Sequence, residues 1–152
     1  MANTYVQLYT YFVFAVKYRH NFIHESFREE IQKYMTGLLR NQGQKVYSIY
    51  CMPDHVHILV SKSGTVSESE MMRVVKSNSS RLINEKGWLH SRFEWQTGFG
   101  AFSYSRSALA NVIAYIENQP AHHRIYSFKH EYLEILQRFQ IEYDPQYLFE
   151  FY

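Results

Sequence analysis

The chain has 152 residues, 46% of them hydrophobic and 20% charged, with a formal net charge of +2 and one cysteine. That balance fits one globular domain spanning residues 1–152 and excludes a disordered chain, a membrane-embedded chain and a disulfide framework or multi-cysteine zinc site. The slight positive charge permits a nucleic-acid partner without requiring one, and the 18% aromatic content serves either packing or base stacking.

The first 18 residues alternate apolar and polar side chains, with no basic start and no small-residue cleavage pattern. They argue against a signal peptide or a spanning helix, so the cytoplasm is the expected location. Tyr5 to Lys17 reads as a strand, central because both of its faces carry bulky apolar groups. Ser26-Phe27-Arg28-Glu29 has the form of a capping box, and Phe27, Ile31, Tyr34, Met35 and Leu38 follow at helical spacing. Asn41-Gln42-Gly43 ends that helix. Val46 to Met52 and His55 to Lys62 are two β-rich runs joined at Pro53-Asp54 as a hairpin.

Ser67 to Glu70 repeats the capping-box form, and Met71, Val74, Val75 and Leu82 predict an amphipathic helix over about 68 to 86. Its opposite face holds Arg73, Lys76, Ser77, Ser80, Arg81 and Asn84, which is either solvated or in contact with phosphates. Phe93 to Tyr104 is again β-rich, broken by Gly98 and Gly100. Ser105 or Ser107 is positioned to cap a third helix with a buried stripe of Leu109, Val112, Ile113 and Ile116. A helix near His130 to Phe139 and an acidic, aromatic tail close the chain. The order strand, helix, strand, strand, helix, strand is the ferredoxin-like or RRM-like α+β plan, an antiparallel sheet with both helices on one face. The other sheet face is expected to be free for a ligand or partner.

Two short stretches carry polar groups suited to chemistry. In "PDHVHILV", residues 53–60, His55 and His57 are two apart, so on a strand they share one face at roughly 6.5 to 7 Å. They can converge on a cation, or they can be the polar face of an ordinary strand. In "YIENQPAHH", residues 115–123, Tyr115 and Gln119 are four apart and stand on one helical face at the border of the buried stripe. A tyrosine extending its hydroxyl out of a core and a glutamine closing the last turn would look the same. Pro120 disfavours the α region at Gln119, which places that residue at the helix end.

Taken together, His55-Val56-His57 ahead of an apolar strand, "WQTGFGAFSYS" at 95–105, "YIENQPAHH" and an opening "FVFAVKYR" strand at 12–19 resemble the IS200/IS605-like single-tyrosine HUH transposases. The resemblance covers nearly the whole chain. It implies an RRM-like core with an added tyrosine-bearing helix, working as a homodimer on single-stranded DNA folded into hairpins at the ends of a mobile element. It further implies that His55, His57 and Gln119 bind a divalent metal ion, Mg2+ or Mn2+, and that Tyr115 is the nucleophile. The pair His122-His123 matches the family's usual ending of this motif and is given no catalytic role. Hairpin recognition is expected from the sheet surface and from Arg73, Lys76 and Arg81.

Two other readings stay open at this point. One is a non-catalytic RRM-like nucleic-acid-binding protein, because "GFGAFSY" at 98–104 is similar to an aromatic RNA-binding strand, although Thr97 stands where a basic residue is expected. The other is a domesticated relative that processes chromosomal palindromic repeats. A metal-independent two-histidine phosphoesterase is a weaker rival, since it needs two H-x-Ser/Thr motifs and His55-Val56-His57-Ile58-Leu59 supplies none.

Overall fold

Four strands form one antiparallel sheet in the computed structural model, which describes residues 3–145 and 148. They are β1 (Tyr9–Ala15), β2 (Lys45–Cys51), β3 (His55–Ser61) and β4 (Gly100–Tyr104), in the spatial order β2-β3-β1-β4. Helix α1 (Glu25–Asn41) joins β1 to β2 and helix α2 (Glu68–Lys86) joins β3 to β4, which is the expected βαββαβ order. β1 lies between β3 and β4, and all seven of its residues are buried. That double burial is why its sequence reads as a continuous apolar run.

One sheet face supports α1 and α2. Phe12, Phe14, Val56, Ile58 and Val60 pack there with Ile31, Met35, Leu39, Met71, Val75 and Ile83. Each such side chain contributes roughly 1.5–3 kcal/mol by leaving water. Helix α2 starts as its sequence predicts, with Ser67 Oγ accepting from the Glu70 N–H at 3.1 Å, and Gly87 closes it at φ 64°. Helix α1 does not. It begins at Glu25 after His24, so Ser26 lies inside the first turn and the expected Ser26 cap is not formed.

The second face is covered, contrary to the free surface expected from sequence. Helix α3 (Leu109–Glu117), the short α4 (Gln119–His122) and α5 (Phe128–Arg138) follow β4. Val112, Ile116, Phe128, Tyr132, Ile135 and Leu136 pack on Tyr11, Val13, Ala15, Leu59 and Phe102 of the sheet. The physical reason is that two further amphipathic helices need apolar surface, and this face is what the first two leave unused. α3 is preceded by a 3-10 turn over Arg106–Ala108, and the Ser105 and Ser107 hydroxyls bond each other at 2.9 Å instead of capping the helix.

The expected strand over Phe93 to Tyr104 is regular only from Gly100. Before it, Trp95 forms a lone bridge with Val16, and the segment is pinned from α2. Asn84 exchanges two bonds with the Phe93 backbone at 3.0 and 2.8 Å, and Trp95 Nε1 donates to Ser79 Oγ at 2.9 Å. Gly100 is a point of close approach, where a Cβ would come within 2.7 Å of the Tyr132 hydroxyl and 2.8 Å of the Phe102 ring. At the end of β2, Cys51 is a free, fully buried thiol whose pKa burial pushes up to about 12. Among the described residues no helix is long and apolar enough to cross a membrane.

Candidate active site

The first half of the site comes from two adjacent strands. His55 and His57 open β3 on the face covered by α3 to α5, opposite Ala15 and Val13 of β1, and both are buried. Each ring is held through Nδ1. His55 Nδ1 lies 2.6 Å from Asp54 Oδ1, and His57 Nδ1 bonds the Tyr11 hydroxyl. Asp54 in turn accepts from Arg19 Nε at 2.6 Å and from Arg19 Nη2. Burial alone would raise the Asp54 carboxyl, but the His55 bond and the Arg19 guanidinium outweigh it and hold the group below the usual carboxylate range. Arg19 reaches it from a turn in which Tyr18 and Arg19 both have left-handed backbone, at φ 59° and 58°.

With both Nδ1 atoms engaged, the two Nε2 atoms face into the protein. Burial pushes the His55 pKa down to about 4, so this ring is neutral at pH 7 and can offer a lone pair. Among the described residues, His55 Nε2, His57 Nε2 and Gln119 Oε1 are buried side-chain atoms with no hydrogen-bond partner. Three unpartnered polar atoms side by side in a core are costly, and a cation is one partner that would complete them. A histidine fixed through its other nitrogen by a carboxylate or hydroxyl is the usual form of a metal-ligating histidine. A divalent ion therefore fits this donor set.

The second half comes from the helices. Tyr115 lies near the end of α3, its ring centroid 6.4 Å from that of His57 in the same chain. Gln119 is fully buried and heads α4, beyond a break at Asn118, and its Nε2 donates to the Tyr115 carbonyl at 3.4 Å. The structure thus brings Tyr115, Gln119, His55 and His57 into one locality, though Gln119 begins a new helix and does not end α3. The Tyr115 hydroxyl donates to Glu131 Oε2 and lies 3.3 Å from His122 Nε2. Burial, and then the Glu131 carboxylate, raise its pKa well above the ordinary tyrosine value, so the hydroxyl keeps its proton in this state. It borders a cavity of about 280 Å3 that is also lined by Tyr11, Tyr104, Asn111 and Arg138.

Sequence reasoning missed several members of the site. Glu131 of α5 is 2% exposed, with Oε1 at 3.4 Å from His57 Nε2, 3.8 Å from His55 Nε2 and 3.2 Å from His123 Nε2. Burial alone would raise its pKa, but the imidazoles of His57, His123 and His55 outweigh it and hold the carboxyl well below the usual range. One ligand atom from each of His55, His57, His123 and Glu131 lies within 4.8 Å of the others, a group that could hold a metal ion. The signal for Glu131 was its spacing, since it falls in the same helical stripe as Phe128, Tyr132 and Ile135 and so had to be buried. Asp54, beside the histidine pair, was read only as a turn residue. Phe128, the first residue of α5, stacks on the His55 ring at 3.9 Å.

Arg73, Lys76 and Arg81 lie apart from this cluster, along a groove of about 1710 Å3 between α2 and residues 91–99. Arg73 pairs with Glu70 at 2.6 Å, Arg81 bonds Asn78, and Lys76 donates to the Gln96 and Gly98 carbonyls at 2.7 and 2.8 Å.

An antiparallel βαββαβ sheet that presents a paired-histidine strand to a tyrosine-bearing helix is the architecture of a single-tyrosine transposase. Residues 4–119 match the family described as IS200-like transposases, and the chain belongs to that family, as a DNA-processing enzyme of transposition and recombination. It is similar to the ISDra2 transposase TnpA of Deinococcus radiodurans, with 25% identity over 120 residues that cover 74% of this chain and 84% of the relative. Its fold is similar to that of a crystal structure described as a Deinococcus radiodurans transposase, with a TM-score of 0.61 and 20% identity over 78% of this chain and 95% of that one. A REP-associated tyrosine transposase solved bound to a REP hairpin gives a TM-score of 0.60 and 15% identity over 81% of this chain and 73% of that one.

Proposed function

We propose that this chain, acting as a single domain, cleaves and rejoins single-stranded DNA at hairpin-bearing element ends through a covalent 5′-phosphotyrosine at Tyr115. His55, His57 and Gln119 hold a divalent ion, Mg2+ or Mn2+. The observation that carries this reading is the set of buried, unpartnered acceptors on those three residues beside the Tyr115 ring. When bound, the ion polarises the non-bridging phosphate oxygens and orients the phosphate for attack.

Tyr115 Oη attacks phosphorus, its P–O bond forms as the P–O3′ bond breaks, and the departing oxygen takes up the proton that Tyr115 sheds, to become a free 3′-OH. The tyrosine proton leaves toward Glu131 Oε2, which already accepts its hydrogen bond. The phosphotyrosine conserves the energy of the phosphodiester, so a 3′-OH from another strand reverses the step and returns Tyr115 to its hydroxyl form. Arg73, Lys76 and Arg81 contact phosphates of the folded DNA along the α2 groove. The hairpin held by the REP-associated relative supports a structured DNA partner of this kind. Tyr115 lies over the histidines of its own chain, so a homodimer brings together two complete sites, one for each DNA end.

The test is to incubate the protein with labelled single-stranded hairpin DNA and Mn2+, denature, and resolve the products on a gel. A protein–DNA adduct is expected with the native chain and none with Tyr115→Phe. An adduct that persists in Tyr115→Phe removes the nucleophile assignment, and no adduct on any hairpin tried favours a binding protein without this chemistry.

A further inference from the structure

Glu131 is a carboxylate buried to 2% exposure in a place where the residues named by the family resemblance do not need one. Its two oxygens face different groups. Oε2 accepts from the Tyr115 hydroxyl, while Oε1 points at the space between the two histidines, 3.4 Å from His57 Nε2 and 3.8 Å from His55 Nε2. His123 Nε2 steadies that oxygen at 3.2 Å. Beyond those hydrogen bonds, a buried negative charge facing two imidazoles is stabilised further by a cation between them. Neither His55 Nε2 nor His57 Nε2 completes a well-formed hydrogen bond to it at these distances. Donor atoms within 4.8 Å of one another need little contraction to meet around one ion, because ligands at about 2.0–2.2 Å from a metal stand roughly 3 to 4.3 Å apart.

We infer that α5 contributes Glu131 to the metal centre as a carboxylate ligand, joined with His55 and His57, so that one carboxylate binds the ion through Oε1 and holds the Tyr115 hydroxyl through Oε2. Two histidines and an amide leave a dication's charge wholly uncompensated, whereas Glu131 cancels one of its two charges and strengthens retention of the ion between turnovers. The mixed imidazole and carboxylate set suits a first-row transition ion such as Mn2+. α5, at residues 128–138, lies beyond the 4–119 span matched to the family.

The inference rests on the divalent-ion reading above, and calorimetric titration of the metal-free full chain with Mn2+ separates the two. The native protein is expected to bind one ion, His57→Ala to show no binding at the same concentrations, and Glu131→Gln to bind at least tenfold more weakly. Glu131→Asp, which keeps the charge and withdraws it by one methylene, is the second variant and loses affinity in the same direction. Circular dichroism and melting in EDTA confirm that each variant is folded. Native affinity in both Glu131 variants, alongside lost binding in His57→Ala, overturns the Glu131 assignment and leaves the two-histidine reading standing. Absence of binding by the native protein, or undiminished binding in His57→Ala, removes the ion reading and this inference with it.

Discussion

Lys76 gives its ammonium donors to the Gln96 and Gly98 carbonyls, and burial holds its pKa down at about 8 against an ordinary 10.5. At pH 7 it is charged in both the folded and the unfolded chain, so the folded state carries the full cost of the buried charge. As pH rises from 8 toward 10.5 the folded protein loses this proton before the unfolded chain does, and stability rises by up to about 1.4 kcal/mol per pH unit. Lys76→Met has no such term. Urea midpoints at pH 7.5 and 9.5 should therefore show the native protein gaining on the variant at the higher pH. Parallel profiles would mean that the amine is solvated. Because the charge is present near neutrality, Lys76 can hold residues 96–98 and still attract phosphate to the groove.

At the scale of elements, the packing of β4 against α5 turns on Gly100. A methyl there would meet the Tyr132 hydroxyl at 2.7 Å, so Gly100→Ala should cost about 1–3 kcal/mol in chemical denaturation. Adding Tyr132→Phe removes the clashing oxygen and should recover part of the loss; a double variant no more stable than Gly100→Ala would place the conflict at the Phe102 ring. Elements were legible in the sequence where a local signal had no competitor. The cap at Ser67 was read correctly because it leads straight into an apolar stripe. Ser26-x-x-Glu29 carries the same pattern and is not used, because the chain turns helical at Glu25, one residue before it. A Ser-x-x-Glu match specifies a hydrogen bond that can form, and tertiary placement decides whether it does. Likewise Gln119 was named a site residue through the family resemblance and not through its spacing from Tyr115, while the break at Asn118 depends on how α4 meets the sheet.

For the whole molecule, the sheet divides two cores, and the candidate site lies in the second one, where β3 meets three helices from the far end of the sequence. Ion binding there ties chain segments about 70 residues apart. Mn2+ at 100 times its dissociation constant should stabilise the fold by about 2.7 kcal/mol and raise the melting temperature by roughly 5–10 °C, with the rise absent in His57→Ala. An equal rise in that variant would show the ion acting elsewhere. The βαββαβ order, the central position of β1 and the pairing of the two histidines were all written in short-range patterns. The covering of the second face was not drawn from them, although the stripe at Leu109, Val112, Ile113 and Ile116 already required apolar ground somewhere. Glu131 was harder to read, because an isolated carboxylate in an amphipathic helix is ordinarily a surface residue and only its phase relative to Phe128 and Tyr132 places it inside.

Cys51 gives this architecture an internal reporter. The chain has one thiol, and it lies at the end of β2 with no exposed surface and a pKa near 12, so at neutral pH it offers neither access nor thiolate to an alkylating reagent. Labelling can then proceed only through openings that separate β2 from the helix packed on it. The rate of thiol trapping in the intact protein consequently counts excursions of the sheet core, without any engineered probe.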